Sequence, residues 1–186
     1  MKLNWRGKRF PGKDRRAGFS LVELMVAIAV ITVLSGIAIP NILRFRENAR
    51  MRTAVSGMLS LFRLAQTEAV KRNTHTCLIF DAATSTTTVF LDDGTGGGTA
   101  RNCVLDGSEP ILRTLVLPPG TFMPGSTINF PGASVGFTPH GLPAKGLFGS
   151  IQIHPTSDAR IAYRINMSIA GHTRIATSTD GGLHFF

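Results

Sequence analysis

A single carboxylate stands in a long apolar stretch near the start of the chain. From Phe19 to Ile39 the sequence runs for 21 residues with one charged side chain, Glu23. An ionised carboxylate is costly in an apolar environment unless a cation meets it there. The chemistry that this pattern indicates is charge pairing, in which Glu23 requires a cationic partner.

The segment that carries Glu23 is long enough to cross a bilayer. As an α-helix it extends about 31 Å, which matches a hydrocarbon core of about 30 Å. Seven basic side chains against one acidic give residues 1–18 a charge of +6, which favours a cytoplasmic N-terminus. The alternatives are a secretory signal peptide and a plain signal anchor. The length of the run, the lack of a small-x-small cleavage site after it and the early carboxylate argue against a signal peptide.

The start of this run resembles the class III signal of type IV pilins and type II secretion pseudopilins, in the residues Gly18-Phe19-Ser20-Leu21-Val22-Glu23. The resemblance implies that a prepilin peptidase cuts after Gly18 and that Phe19 becomes the N-methylated mature N-terminus. It also implies that Glu23 of one subunit pairs with the α-ammonium group of a neighbour in a helical filament, which sets the axial register. Pro40 stands at the helix-kink position of that family.

A second helical pattern follows Pro40. Apolar residues recur mostly at spacings of three and four over 40–72, which predicts an amphipathic stem helix. The apolar positions of the pattern are Ile42, Phe45, Ala49, Val55, Met58, Leu59, Phe62, Ala65, Ala69 and Val70. Pro40 lacks a backbone donor and predicts a kink at the join. The arginines between 44 and 52 fit a solvated face near lipid headgroups.

The end of the stem carries a second resemblance. Residues 61–73 are similar to the Leu-x-x-Ala-Arg-Ser-Glu-Ala-x-x-Arg segment of the GspH/FimT group of minor pseudopilins and minor pilins. Gln66 and Thr67 depart from that segment, where Arg and Ser are common. Glu68 and Arg72 agree with it, and their spacing predicts an i,i+4 ion pair.

A change of pattern after Arg72 predicts an antiparallel sheet domain. Short β-branched and apolar runs are separated there by Gly- and Pro-rich turns, without a second helix. The predicted strands are 75–81, 86–91, 111–117, 127–130, 134–138, 150–154, 159–166 and 173–178. Residues 92–99, with four glycines, read as a flexible turn.

Two cysteines, Cys77 and Cys103, are available for a disulfide. Outside the cytoplasm such a bridge is permitted, and it would contribute about 3 kcal/mol by closing a loop of about 25 residues. It would tie the Gly-rich turn to the first strand. The alternative is a buried thiol at Cys77 and a free thiol at Cys103.

No pattern in the chain indicates catalysis, a cofactor or a metal. The five histidines lack ligand-like spacing, and no nucleophile elbow or paired-carboxylate motif is present. The net charge of +9 belongs to the first 72 residues, because residues 73–186 carry six basic and seven acidic side chains. General nucleic-acid binding by the domain is therefore not expected.

One short stretch bears on DNA. Some FimT-type pilins resemble each other in a Gly-Arg-x-Arg stretch linked to DNA binding during uptake, and the corresponding place here reads Gly171-His172-Thr173-Arg174. Gly171 and Arg174 agree with the stretch, whereas His172 is mostly neutral at pH 7. Arg160 and Arg164 are nearby in sequence and could add phosphate contacts. Strand-edge charges that oppose aggregation are the favoured interpretation of these residues.

Together the two resemblances imply an α+β, type IV pilin-like fold. They divide the chain into a cleaved basic leader (1–18), a transmembrane helix (19–39), an amphipathic stem (40–72) and a periplasmic β-rich domain (73–186). The implied function is a non-enzymatic minor pseudopilin of GspH type in the type II secretion pseudopilus. The alternative is a FimT/FimU-type minor pilin of a type IV pilus. The expected partners are a prepilin peptidase, other pilin-like subunits and the inner membrane.

Overall fold

The computed structural model describes residues 19–144, 148–158 and 160–186, with the backbone alone at Pro40. Helix α1 spans Leu21–Arg72, 52 residues. It contains a stretch long and apolar enough to cross a membrane, none of which is buried. The chain divides into two compact units, Met1–Ile42 and Leu43–Phe186, and α1 passes from the first into the second. The predicted leader, with Gly18, lies outside the described residues.

The two predicted helices are one element, because α1 continues through position 40. The kink at Pro40 stays a prediction. The apolar positions of the predicted stem differ in exposure along the helix. Ile42 and Phe45 expose 51% and 74% of their surface, and the buried face of α1 begins at Met51.

Eight strands follow α1 in the described residues. They are β1 (Thr76–Asp81), β2 (Thr86–Leu91), β3 (Ile111–Val116), β4 (Thr121–Phe122), β5 (Ser134–Phe137), β6 (Gly149–Pro155), β7 (Ala162–Met167) and β8 (Thr173–Ser178). They form two sheets with the orders β3-β2-β1-β5 and β4-β6-β7-β8. All of their pairings are antiparallel, which confirms the predicted fold class.

One predicted strand, 127–130, is wrong. A 3₁₀ turn occupies Gly125–Thr127, and the following residues connect it to β5. The apolar alternation there reflects an inward side chain, since Phe130 is only 4% exposed. Pro124 and Pro131 flank the run and cannot donate to a ladder. The structure places the two-residue strand β4 before this segment instead.

A single hydrophobic core joins the second half of α1 to both sheets. It includes residues of α1, β1, β2, β5, β6 and β7. The rings of Phe62 on α1, Phe80 on β1 and Phe130 meet at its centre, with centroid separations of 5.4 to 6.1 Å. The stem is thereby fixed to the sheets.

Candidate functional site: the N-terminal assembly segment and its support

Ser20 and Glu23 organise the first turn of α1. The backbone N–H of Glu23 donates to the Ser20 hydroxyl oxygen, 3.2 Å, and Leu24 N–H donates to the Ser20 carbonyl, 3.1 Å. Ser20 is therefore the N-cap, and Glu23 occupies the third helical position, where a carboxylate is favoured by the helix dipole. The Ser-x-x-Glu spacing was the sequence signal for this cap, and our sequence reasoning missed it.

The segment after Ser20 presents apolar side chains on every side. Phe19 is 84% exposed, and each large aliphatic side chain from Leu21 to Ile39 exposes more than half of its surface. Thr32 satisfies its hydroxyl group locally by donating to the Ile28 carbonyl, 2.8 Å. So long an apolar surface requires a lipid or protein environment to cover it. The helix is consistent with membrane anchoring.

Glu23 is an exposed carboxylate within this apolar surface. It forms no ion pair with any of the described residues. A cationic partner for Glu23 is therefore sought beyond the described residues of the chain or in another molecule. An α-ammonium group generated at Phe19 of a neighbour would meet that requirement.

The stem helix presents a narrow buried face to the sheets. Its members are Met51, Ala54, Val55, Met58, Leu61, Phe62, Ala65 and Ala69, each at most 3% exposed. Ala65 and Ala69 are among the smallest side chains of this face, and both are fully buried. Gly57 faces the Leu115 side chain, to which an added Cβ would come within 3.3 Å.

The last turns of α1 are fixed by polar contacts. The predicted pair of Glu68 and Arg72 is confirmed, with Arg72 Nε donating to Glu68 Oε2 at 2.6 Å. The Arg72 guanidinium lowers the pKa of Glu68, and Lys71 adds to the effect. Asn73 then adopts a φ of 51°, and Thr74 N–H donates to the Ala69 carbonyl, which ends the helix.

Gln66, which departs from the group segment, has a structural contact of its own. Its Nε2 donates to the Gly141 carbonyl, 2.8 Å, in the connection between β5 and β6. Gly171, between β7 and β8, packs against the same place, where an added Cβ would lie 3.4 Å from Gln66 Nε2. Gln66 therefore holds the β5–β6 connection against the stem, a contact that no sequence pattern indicated.

The two cysteines are joined in a disulfide, Cys77–Cys103, with their Cα atoms 5.4 Å apart. Cys77 lies on β1 directly opposite Gly136 of β5. A Cβ at Gly136 would come within 2.8 Å of Cys77 Sγ and closer still to Cys103 Sγ. The disulfide therefore requires glycine at this position.

The loop from Asp92 to Pro110 is held by its carboxylates, contrary to the flexible turn expected for 92–99. Asp92 accepts hydrogen bonds from the backbone N–H groups of Arg101 and Cys103, at 2.5 and 2.8 Å. Glu109 accepts from the N–H groups of Gly94 and Asp106. Burial raises the pKa of Glu109. Backbone donors thus compensate for the buried carboxylates and fix the loop to the first sheet.

The residues considered for DNA contact differ in their local contacts, and their role in DNA binding stays a prediction. Arg160 pairs with Asp158, Nε to Oδ1 3.3 Å. The Arg164 guanidinium lies 3.6 Å from the centroid of the Phe185 ring. Gly171 is buried, whereas Arg174 is exposed on β8.

The histidines of the described residues differ in burial and in hydrogen bonding. Burial lowers the pKa of His75 and of His154, and His154 shares a hydrogen bond of 3.1 Å with Gln152. The cluster of possible metal ligands found in this part of the chain is Cys77, Asp92 and Cys103. Its sulfur atoms are committed to the disulfide and are unavailable as thiolate ligands.

Comparison with known proteins identifies the general class of this protein. Residues 13–39 match the family described as "Prokaryotic N-terminal methylation motif". The fold is similar to the type IV minor pilin FimU of Pseudomonas aeruginosa, with a TM-score of 0.53 at 14% identity over 74% of this chain and 98% of that one. A long N-terminal helix packed on antiparallel sheets is the architecture they share, and the protein is pilin-like.

The family follows from the second match. Residues 54–171, more than half of the chain, match the family "Type II transport protein GspH". The chain belongs to that family. The matched region includes the stem from Ala54 onward and most of the sheet domain, so the resemblance found at residues 61–73 extends through the globular part of the protein.

Curated relatives are similar in a shorter region. The chain is 37% identical to the type IV major pilin protein PilA of Myxococcus xanthus over 57 residues, 31% of this chain and 25% of that protein. It is 40% identical to the type II secretion system core protein G of Escherichia coli over 48 residues, 26% of this chain and 33% of that protein. The matches thus span about a quarter to a third of each relative.

Proposed function

We propose that the protein is a non-enzymatic subunit of a filament of pilin-like proteins, anchored in the inner membrane by residues 19–39 until it assembles. The observation that carries the proposal is the exposed apolar surface of α1. Within that surface lies the carboxylate of Glu23, which has no ion pair among the described residues. Such a surface is suited to lipid before assembly and to packing against other apolar helices afterwards.

The assembly step follows from charge pairing. A prepilin peptidase cleaves after Gly18 and leaves an α-ammonium group on Phe19, which is then methylated. In an apolar bundle the ammonium group of one subunit and Glu23 of its neighbour compensate each other. Because Glu23 lies one turn into the helix, the pair sets the axial offset between the two subunits.

We assign the filament to a type II secretion system, in which this chain acts as a minor pseudopilin with its sheet domain in the periplasm. Membership of the GspH family supports this assignment. A minor pilin of a type IV pilus is the second candidate, favoured by the likeness to FimU in fold. Deleting the secretion ATPase of each system in turn separates the two candidates, because only the cognate deletion will abolish incorporation of the chain into filaments.

The proposal is tested by substituting Glu23→Ala and isolating sheared filaments. We expect normal insertion into the membrane, since the change removes the only charge of the span. We expect incorporation to fall at least tenfold, since the neighbouring ammonium group then lacks a partner. The control is Thr32→Val, which removes a polar group that is satisfied within its own helix. Wild-type incorporation of the Glu23→Ala protein would contradict the role of the carboxylate.

A further inference from the structure

A cleft of about 640 Å³ lies within the unit Leu43–Phe186, between the first turns of its part of α1 and the connection from β6 to β7. Arg44, Glu47 and Met51 line it from the helix. Asp158 and Arg160 line it from the connection. The volume falls in the range of about 300–1,000 Å³ that is typical of small-molecule sites.

The lining of the cleft carries two charges of each sign. Arg44 and Glu47 are exposed, and neither forms an ion pair with the described residues. Asp158 uses one carboxylate oxygen, Oδ1, to accept from the backbone N–H and the Nε of Arg160, at 3.0 and 3.3 Å. Those hydrogen bonds lower the pKa of Asp158. Its second oxygen and the terminal nitrogens of Arg160 remain available to a ligand.

An apolar floor completes the site. Met51 is 2% exposed at the helix side of the cleft, and Pro155 is buried at the sheet side. A ligand that fits this lining has an anionic group, a cationic group a few bonds away, and an apolar part. A purely anionic ligand is disfavoured, because Glu47 and Asp158 would repel it as strongly as the arginines attract it.

The position of the cleft along the chain indicates where such a ligand comes from. Arg44 stands five residues beyond Ile39, the end of the predicted transmembrane segment. Five residues of helix rise about 7.5 Å, and the polar layer on each face of a bilayer is about 5–7 Å thick. The Arg44 backbone then lies at the outer edge of this layer, if residues 19–39 span the membrane as proposed above. Its long side chain, tilted toward the N-terminal end of the helix, can reach the headgroup phosphates.

We propose that this cleft binds the headgroup of a zwitterionic aminophospholipid, with the phosphate held by Arg44 and Arg160 and the primary ammonium group by Glu47 and Asp158. Guanidinium groups suit phosphate oxygens, and a primary ammonium group donates three hydrogen bonds that carboxylates accept. A quaternary ammonium group cannot donate them. The cleft thus discriminates phosphatidylethanolamine from both phosphatidylcholine and phosphatidylglycerol. This inference rests on the proposed function, in which α1 is anchored in a membrane.

The test uses the full-length chain in lipid nanodiscs that contain equal parts of phosphatidylethanolamine, phosphatidylglycerol and phosphatidylcholine. Native mass spectrometry then measures which lipid stays bound when the protein is released. We expect the bound amount of phosphatidylethanolamine to exceed that of each other lipid about tenfold, because each competitor lacks a charge-assisted hydrogen bond that phosphatidylethanolamine makes. Equal retention of the three lipids, or a preference for phosphatidylglycerol, would overturn the proposal.

Matched variants assign the effect to the cleft. Arg44→Gln and Arg160→Gln should each remove the preference. Arg46→Gln and Arg52→Gln should leave it unchanged, because these exposed arginines carry the same charge on the same helix but do not line the cleft. Glu47→Gln should raise retention of phosphatidylglycerol relative to phosphatidylethanolamine. A preference that survives both cleft arginine variants would contradict the site.

Two further experiments distinguish lipid binding in the cleft from binding of free phosphate and from membrane anchoring. Millimolar inorganic phosphate should displace none of the bound lipid, and displacement by phosphate alone would mean that the cleft recognises a free anion. Flotation of the chain with vesicles of each single lipid measures anchoring independently. Failure to float with any vesicle would contradict the anchored role, whereas normal flotation without headgroup preference would contradict the cleft alone.

Discussion

Gly136 shows how a single residue can decide whether a covalent bond fits into a sheet. It lies opposite Cys77 in the pairing of β1 with β5, and the sulfur atoms of the disulfide occupy the space that its side chain would need. The covalent bridge and the Ala144 side chain, 3.3 Å from an added Cβ, leave little room for adjustment. The bridge in turn fixes Cys103 and the loop held by Asp92.

We predict that Gly136→Ala lowers the free energy of unfolding of the segment 43–186 by about 1–3 kcal/mol, the usual cost of overpacking. Denaturant unfolding of the oxidised protein measures this. Gly57→Ala is the matched control. It adds the same methyl group next to the end of a movable Leu115 side chain and improves helix propensity, so its stability should be unchanged or higher by up to about 1 kcal/mol. Equal stability of Gly136→Ala and wild type would contradict the packing described here.

At the scale of elements, α1 has a half that packs and a half that does not. The two phenylalanines of its stem illustrate the difference, because Phe62 is 1% exposed in the core and Phe45 is 74% exposed. Both belong to the same helical pattern in the sequence. Only the position of the sheets distinguishes them.

Phe62→Ala should therefore lower the free energy of unfolding by about 3–5 kcal/mol, since it leaves a cavity between Phe80 and Phe130. Phe45→Ala should change it by no more than about 0.5 kcal/mol. Thermal and denaturant unfolding of the two variants, side by side in segment 43–186, gives the comparison. Similar losses in both would show that the stem packs along its whole length.

The C-terminal segment is an element that depends on one carboxylate. Asp180 accepts hydrogen bonds from the N–H groups of Leu183 and His184, at 3.1 and 3.0 Å, and from the Ser178 hydroxyl group. These hydrogen bonds lower the pKa of Asp180 far below its usual value, and the bond from the His184 backbone N–H has the largest effect. The backbone of Phe186 then pairs with Thr177 on β8.

This arrangement predicts a local pH dependence. A carboxyl group whose pKa is lowered on folding stabilises the fold above its unfolded pKa of about 3.9, and the stabilisation is lost as pH falls below that value. Amide hydrogen exchange at Leu183 and His184 should therefore accelerate as the pH falls below about 4, beyond the intrinsic trend, while exchange at Ile165 in β7 does not. In Asp180→Asn the acceleration should already be present at pH 7. A pH-independent protection of Leu183 would contradict the role of Asp180.

Local patterns predicted some elements well and others poorly, for physical reasons. Strands β2 and β8 agree with their predicted bounds, because alternation and turn residues define them locally. The strand predicted at 127–130 is absent, because side chains can alternate between inward and outward positions without the backbone hydrogen bonds of a sheet. The anchoring of the loop after β2 depends on carboxylates that meet backbone donors over long separations, and the contact of Gln66 with Gly141 joins residues 75 positions apart. Such contacts have no periodic signal in a sequence.

At the scale of the whole molecule, two compact units perform different tasks. The unit Leu43–Phe186 buries its own core, whereas the described helix of Met1–Ile42 exposes an apolar surface around Glu23. A protein of this kind is stable in its final environment only when lipid or neighbouring helices cover that surface. In the proposed function, processing at Gly18 is the step that gives Glu23 its partner.

The mass of the mature N-terminus therefore tests the account most directly. The chain is expressed with an active prepilin peptidase and, in parallel, with a catalytically inactive one, and the N-terminal peptide is identified by mass spectrometry. We expect a peptide that begins at Phe19 and carries one N-methyl group, present only with the active peptidase. Retention of Met1 with the active peptidase, or a cut after Ile39, would contradict it.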